Sequence, residues 1–215
     1  MQKRFDEYFA KAVLESCFSE KFSDLQISDK PDLRCGIDIG IEVTTCTLAK
    51  VLEAENIIYN LKDDKNKAFR IERVKKLGAK YSESKYGEKT LMIGFPGRYT
   101  NDIDASPSKA FIDAVAKKID CLNREYEIYA DMPSYELFVK SDTATIPDMQ
   151  LDEFLRRLKE LNVQKKKYDC IYFFTYEKKL ICFDLLRESI ITLCLFDNMN
   201  LLMRNAIELH NGAKQ

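Results

Sequence analysis

Two carboxylates, Asp32 and Glu42, could do chemistry together because they frame a short predicted β-hairpin. Residues 37–44 alternate isoleucine or valine with other residue types, a period of two that is typical of a strand. If the turn centres on Ile37, position 32 lies opposite position 42, with Cβ atoms about 4.5–5.5 Å apart. Two anionic groups at that distance repel, and Mg²⁺ can bridge one or two protein carboxylates while keeping several waters. The pair therefore indicates either a divalent metal site or a solvated strand face on which water screens the charges.

Two predicted helices carry further charged side chains toward this hairpin. Residues 4–19 repeat apolar residues at steps of three and four, and Glu15 lies on or beside that apolar stripe. Residues 107–124 form a second amphipathic helix, in which Lys118 points along the inward stripe. A lysine there needs an anionic partner or a route to solvent. Lys118 therefore either pairs with the hairpin acids or extends to water. Glu15 is either a metal ligand or an acid at the edge of the apolar stripe, with its carboxylate in water.

The rest of the chain alternates predicted strands and helices without a repeat or a low-complexity linker, which favours one α/β domain over residues 1–215. The segment 23–31 is predicted to be a loop, in which Pro31 forces an extended backbone just before the hairpin. Further strands are predicted over 89–97, 125–131, 135–142, 168–176, 179–186 and 190–196, and further helices over 47–60, 70–80, 145–161 and 199–209.

Composition removes several classes of site. The single histidine, His210, disfavours catalytic triads and histidine-rich metal sites, so that carboxylates and lysines must carry any catalysis. The seven cysteines are scattered without a C-x-x-C pair, which favours reduced core residues and a cytoplasmic location. No apolar run approaches the roughly 20 residues of a membrane span, so no membrane partner is expected. The formal net charge of -1 shows no overall basic surface for nucleic acid.

The sequence Pro31-Asp32, followed on the next strand by Gly-Ile-Glu-Val-Thr at 40–44, resembles the PD-(D/E)xK nuclease-like superfamily. The resemblance covers about residues 4–142, and residues 143–215 would form an α/β extension. It implies a restriction-endonuclease-like core, a mixed central β-sheet flanked by helices in the order α-β-β-β-α-β. The strand at 89–95 and the helix at 107–124 would be parts of that core.

The same resemblance implies a metal-dependent hydrolysis of nucleic-acid phosphodiesters, with DNA favoured over RNA. Asp32 and Glu42, with Glu15 directly or through water and the carbonyl of Val43, would bind Mg²⁺ or Mn²⁺. The family expects a lysine where this chain has Thr44, and a hydroxyl cannot supply an ammonium's charge. Lys118 would then replace that lysine as the electrostatic stabiliser.

Two other interpretations stay open. The fold could be nuclease-like but catalytically inactive, acting as a nucleic-acid or protein binding module, which Thr44 and the net charge favour. Alternatively, the hairpin acids could be only solubilising, on an interaction protein unrelated to nucleic acid. The hydrophobic strands of the C-terminal third are predicted to be core, with a homodimer interface as the alternative.

Overall fold

A computed structural model of the protein describes residues 5–46, 53–54, 56–57, 66–77, 79–83, 89–93, 108–124 and 131–213. These separate into two compact units, one within residues 1–46 and 110–215 and the other within 47–109. The single domain stays a prediction, because a division by contacts does not show that either unit folds alone. Most of the helix predicted over 47–60, and nearly all of the strand over 125–131, lie outside the described residues.

The described elements alternate between helices and strands, as the sequence predicts. The helices are α1 (Phe5–Cys17), α2 (Lys67–Lys76), α3 (Lys109–Arg124), α4 (Leu151–Leu161) and α5 (Met199–Gly212). The strands are β1 (Leu25–Ile27), β2 (Leu33–Cys35), β3 (Ile39–Thr45), β4 (Ala79–Glu83), β5 (Lys89–Ile93), β6 (Ser134–Lys140), β7 (Cys170–Phe174), β8 (Lys179–Asp184) and β9 (Ser189–Cys194).

In the larger unit, seven of the described strands form one mixed sheet in the order β1-β2-β3-β6-β7-β8-β9. The first three strands are antiparallel, β3, β6 and β7 run parallel, and β7 to β9 are antiparallel again. The expectation of an α/β protein with a mixed, helix-flanked sheet is confirmed. The C-terminal third contributes β7, β8 and β9 to this same sheet.

Helices cover both faces of the sheet, because each central strand places apolar side chains alternately on the two sides. Phe9, Val13 and Leu14 of α1 pack in one cluster with strand residues that include Ile41 and Val43, and α5 joins the same cluster. On the opposite face, Phe111 of α3 stacks on Phe173 with ring centroids 4.2 Å apart and also contacts Phe154 of α4. We call these the α1 face and the α3 face.

The hairpin has the predicted register. Leu33 pairs with Ile41 and Arg34 with Gly40, so that the turn is centred on Ile37 and position 32 is opposite position 42. The turn contains Gly36 at φ +57°, a left-handed conformation that glycine adopts without strain.

Two expectations about the strands before α3 are wrong. The segment predicted as a loop over 23–31 contains β1, which pairs with β2. The strand predicted over 89–97 is β5, but it pairs with β4 in a separate two-stranded sheet of the smaller unit. Three antiparallel strands still precede α3 in the main sheet, but they are β1 to β3. A three-residue strand is too short for its period of two to be read from sequence.

Candidate functional site

Glu42 is a buried carboxylate at the centre of β3. Its neighbours Ile41 and Val43 point into the α1 face, so the side chain of Glu42 points to the α3 face. There the Lys118 ammonium donates a hydrogen bond to Glu42 Oε2 at 2.6 Å. The Glu42 side chain is only 4% exposed and that of Lys118 is 22% exposed. This burial contradicts the interpretation of Glu42 as a solvated, solubilising acid.

Lys118 reaches Glu42 because α3 is fixed against the sheet by its apolar stripe. Phe111, Val115, Ile119 and Leu122 are all buried, at steps of four, four and three. Lys118 lies beside this stripe, and its own carbonyl accepts a hydrogen bond from the Tyr168 hydroxyl at 3.3 Å. The predicted inward direction of Lys118 is therefore present, while its catalytic role stays a prediction.

Asp32 immediately precedes β2, and the hairpin register extended by one residue places it opposite Glu42. The Val43 amide donates to Asp32 Oδ2 at 2.8 Å, so the carboxylate continues the hydrogen-bond ladder beyond the last backbone pair. A carboxylate has two oxygens and about four acceptor positions, so one amide leaves acceptor capacity. Val43 thus contacts Asp32 through its N–H, and its predicted role as a carbonyl ligand stays a prediction.

Gly40 positions the Asp32 loop, a role that was not predicted from the sequence. A Cβ atom at Gly40 would lie 2.6 Å from Pro31 Cγ and 3.2 Å from Met132 Cγ. Only glycine therefore lets Pro31 lie directly on β3, next to Asp32. The sequence signal was the glycine two residues before Glu42 in an otherwise β-branched strand, which commonly marks a close approach.

Glu15 is not brought to the other two acids. It belongs to α1, which packs on the opposite face of the sheet from α3. Its carboxylate pairs with Lys11 and accepts a hydrogen bond from the Leu25 amide at 3.3 Å, and Lys11 also donates to the Leu25 carbonyl. Glu15 therefore anchors the edge strand β1 to α1.

With Glu15 on the other face of the sheet, Asp32 and Glu42 are the two carboxylates that could hold a hard cation. Among the described residues, no three or more histidine, cysteine or acidic side chains are arranged to hold a metal ion. Mg²⁺ does not require such a group, because it commonly uses one or two protein carboxylates, with waters and substrate phosphate completing its octahedron. Asp32 and Glu42 supply that number, and an ion bound there competes with Lys118 for Glu42.

A second buried acid and lysine pair lies on the α1 face of the neighbouring strand. Glu136 of β6 accepts hydrogen bonds from Lys21 at 2.6 Å and from the Tyr172 hydroxyl at 3.0 Å. Burial raises the pKa of Glu136, although Lys21 and Tyr172 act to lower it. Glu136 raises the pKa of Lys21, although burial opposes it. This pair was not predicted from the sequence, where its signal is an acid within the apolar strand Tyr-Glu-Leu-Phe-Val, residues 135–139.

Comparisons with known proteins add no relative. No family model, no curated protein and no solved structure matches this chain. Among the described residues, no helix combines the length and the apolar character needed to cross a bilayer. Evidence about function therefore comes from the geometry of the Asp32, Glu42 and Lys118 site.

Proposed function

We propose that this protein hydrolyses nucleic-acid phosphodiester bonds in a metal-dependent reaction, with DNA favoured over RNA. One observation carries the proposal. Lys118 crosses from α3 to a buried carboxylate 76 residues away in sequence, and that carboxylate lies opposite Asp32. A buried pair of charges is seldom better for stability than apolar residues of similar volume, so a buried pair that also faces a second carboxylate favours a functional reason.

The order of elements supports a PD-(D/E)xK-like core. Leaving out the smaller unit, the chain runs α1, β1, β2, β3, α3 and β6, which is the α-β-β-β-α-β order of that superfamily. Asp32 stands immediately before one strand and Glu42 lies on the next, which agrees with the resemblance.

In the proposed mechanism, Asp32, Glu42 and the carbonyl of Val43 would hold Mg²⁺ or Mn²⁺. Such an ion neutralises phosphate charge and lowers the pKa of a bound water. The Val43 amide fixes the orientation of the Asp32 carboxylate. With Glu42 engaged in holding that ion, Lys118 would lie beside the phosphate, where its ammonium would stabilise the negative charge that develops during hydrolysis. Lys118 thereby supplies the charge that Thr44 lacks.

The test is cleavage of plasmid DNA, single-stranded DNA and RNA by the full chain with Mg²⁺, Mn²⁺ or EDTA. We expect ion-dependent cleavage that falls at least about a hundredfold in Asp32→Asn, Glu42→Gln and Lys118→Met. The matched control is Glu136→Gln, which removes an equally buried, lysine-paired carboxylate from the adjacent strand, on the other face. Undiminished activity in Asp32→Asn, or an equal loss in Glu136→Gln, would contradict the assignment.

The second candidate is a nuclease-like fold that binds nucleic acid or protein without catalysis. Two observations favour it: Lys118 already neutralises Glu42, and Glu15 is engaged on the other face of the sheet. Calorimetry separates the two candidates. An inactive module would take up neither Mg²⁺ nor Mn²⁺, whereas the proposed enzyme binds at least one, and binding is lost in Asp32→Asn.

A further inference from the structure

The strand β9 is the last strand of the main sheet, and none of the described strands pairs with its outer edge. The Leu195 amide donates to the Lys178 carbonyl at 2.8 Å, which fixes the phase of the β8–β9 ladder. Hydrogen-bonded pairs alternate along an antiparallel ladder, so Ser189, Ile191 and Leu193 bond to β8. The backbone groups of Ile190, Thr192 and Cys194 therefore point outward.

This edge lacks the features that usually prevent pairing with another chain. The six residues Ser-Ile-Ile-Thr-Leu-Cys contain no charge, no proline and no glycine. Natural edge strands are commonly protected by lysine, proline, bulges or very short length. An uncharged edge of six residues with outward backbone donors and acceptors is instead suited to receive another strand.

We propose that this strand pairs with β9 of a second copy of the chain, antiparallel and centred on Thr192. In that register Ile190 faces the partner's Cys194, and Thr192 faces its own counterpart. All three outward-pointing residues then meet outward-pointing residues, and each such pair exchanges two hydrogen bonds. The strand is thus complementary to itself under two-fold symmetry, and for this reason a second copy is the occupant that it fits.

Side chains on the α1 face extend the same surface. Ile191, which is 47% exposed, faces the partner's Leu193 in this register. Burial of this pair adds to the backbone hydrogen bonds.

The charges beside the strand agree with this arrangement. Antiparallel pairing brings the turn that contains Arg187 toward the partner's Asp197. Arg187 and Asp197 are both exposed. These two groups are of opposite sign, and Glu188, the acid of the same turn, is paired with Lys159 of its own chain. Within the strand no like charges meet. Three strands separate β9 from β3, so this interface lies away from Glu42 and does not depend on the proposed catalysis.

The experiment is sedimentation of the full chain over a range of concentrations, with charge changes at the two-fold axis. We expect a wild-type dimer, and we expect Thr192→Lys and Thr192→Glu to weaken dimerisation at least about tenfold, because like charges then face each other. An equimolar mixture of the two variants should regain the dimer, which also shows that both are folded. Thr45→Lys, the same change on an exposed residue of β3, is the matched control and should leave the dimer intact.

A wild-type chain that stays monomeric at all concentrations would overturn the proposal. So would a dimer that Thr192→Lys does not weaken, or two variants that remain monomeric when they are mixed. Loss of the dimer in Thr45→Lys to the same extent would also refute it, since the effect would then follow net charge.

Discussion

Replacing Lys118 with methionine isolates the energetic role of the site. The change removes the Lys118 ammonium from the Glu42 carboxylate, whose side chain is only 4% exposed in the native chain. Removing one member of a buried ion pair commonly costs about 3–5 kcal/mol, because the remaining charge is uncompensated. Lys118 keeps 22% exposure, so water already screens the pair in part. We therefore expect Lys118→Met to lower the free energy of unfolding by about 3 kcal/mol at neutral pH.

The assay is urea unfolding in EDTA, followed by the same measurement with increasing Mn²⁺. If Asp32 and Glu42 hold the ion, Mn²⁺ stabilises Lys118→Met by about 2.7 kcal/mol at one hundred times its dissociation constant. The double variant Glu42→Gln, Lys118→Met is the control. It should recover most of the stability in EDTA, because it buries no unpaired charge, and it should not respond to Mn²⁺.

If Lys118→Met lowers the free energy of unfolding by less than about 1 kcal/mol, the Lys118–Glu42 pair behaves like an exposed salt bridge. That result would refute the expectation that its burial makes the pair costly to break. Equal stabilisation of the single and double variants by Mn²⁺ would refute Glu42 as a metal ligand. The two outcomes are separate, because the first concerns the folded pair and the second concerns its proposed ligand.

Three further predictions concern neighbouring features. Burial raises the pKa of Glu136, so its contribution to stability is lost as pH rises through its folded pKa. Lys21→Met should therefore destabilise the protein more at pH 8 than at pH 5, and at neutral pH by about 1–2 kcal/mol, because the Lys21 ammonium is partly exposed. An equal loss of stability at both pH values in thermal unfolding would contradict this. Gly40→Ala should lower the free energy of unfolding by about 1–3 kcal/mol, since its methyl group would meet Pro31; an unchanged urea midpoint would show that the loop yields freely. Burial raises the pKa of the Cys46 thiol to about 12, so mass spectrometry should find it unmodified by iodoacetamide at pH 8 until the chain is unfolded; modification of the folded chain would be the contrary result.

Much of the fold could be predicted because its signals are local. The alternation across residues 37–44 predicted both β3 and the hairpin register, since a one-residue slip would turn every side chain to the other face. The stripe of α3 likewise predicted that Lys118 points inward. The strand β1 was missed because three residues carry too little pattern, and β5 was given to the wrong sheet because a strand's own sequence does not specify its partner.

For the candidate site, the sequence by itself determined the residue types, the Asp32 and Glu42 pairing across the hairpin, and the direction of Lys118 on its helix. Each of these depends on periods of two or of three and four within one segment. Only the tertiary structure decided which face of the sheet each helix covers. That choice brings Lys118 to Glu42 and places Glu15 on the other side, because packing of a helix depends on contacts between segments far apart in the chain and not on the periodicity of either one.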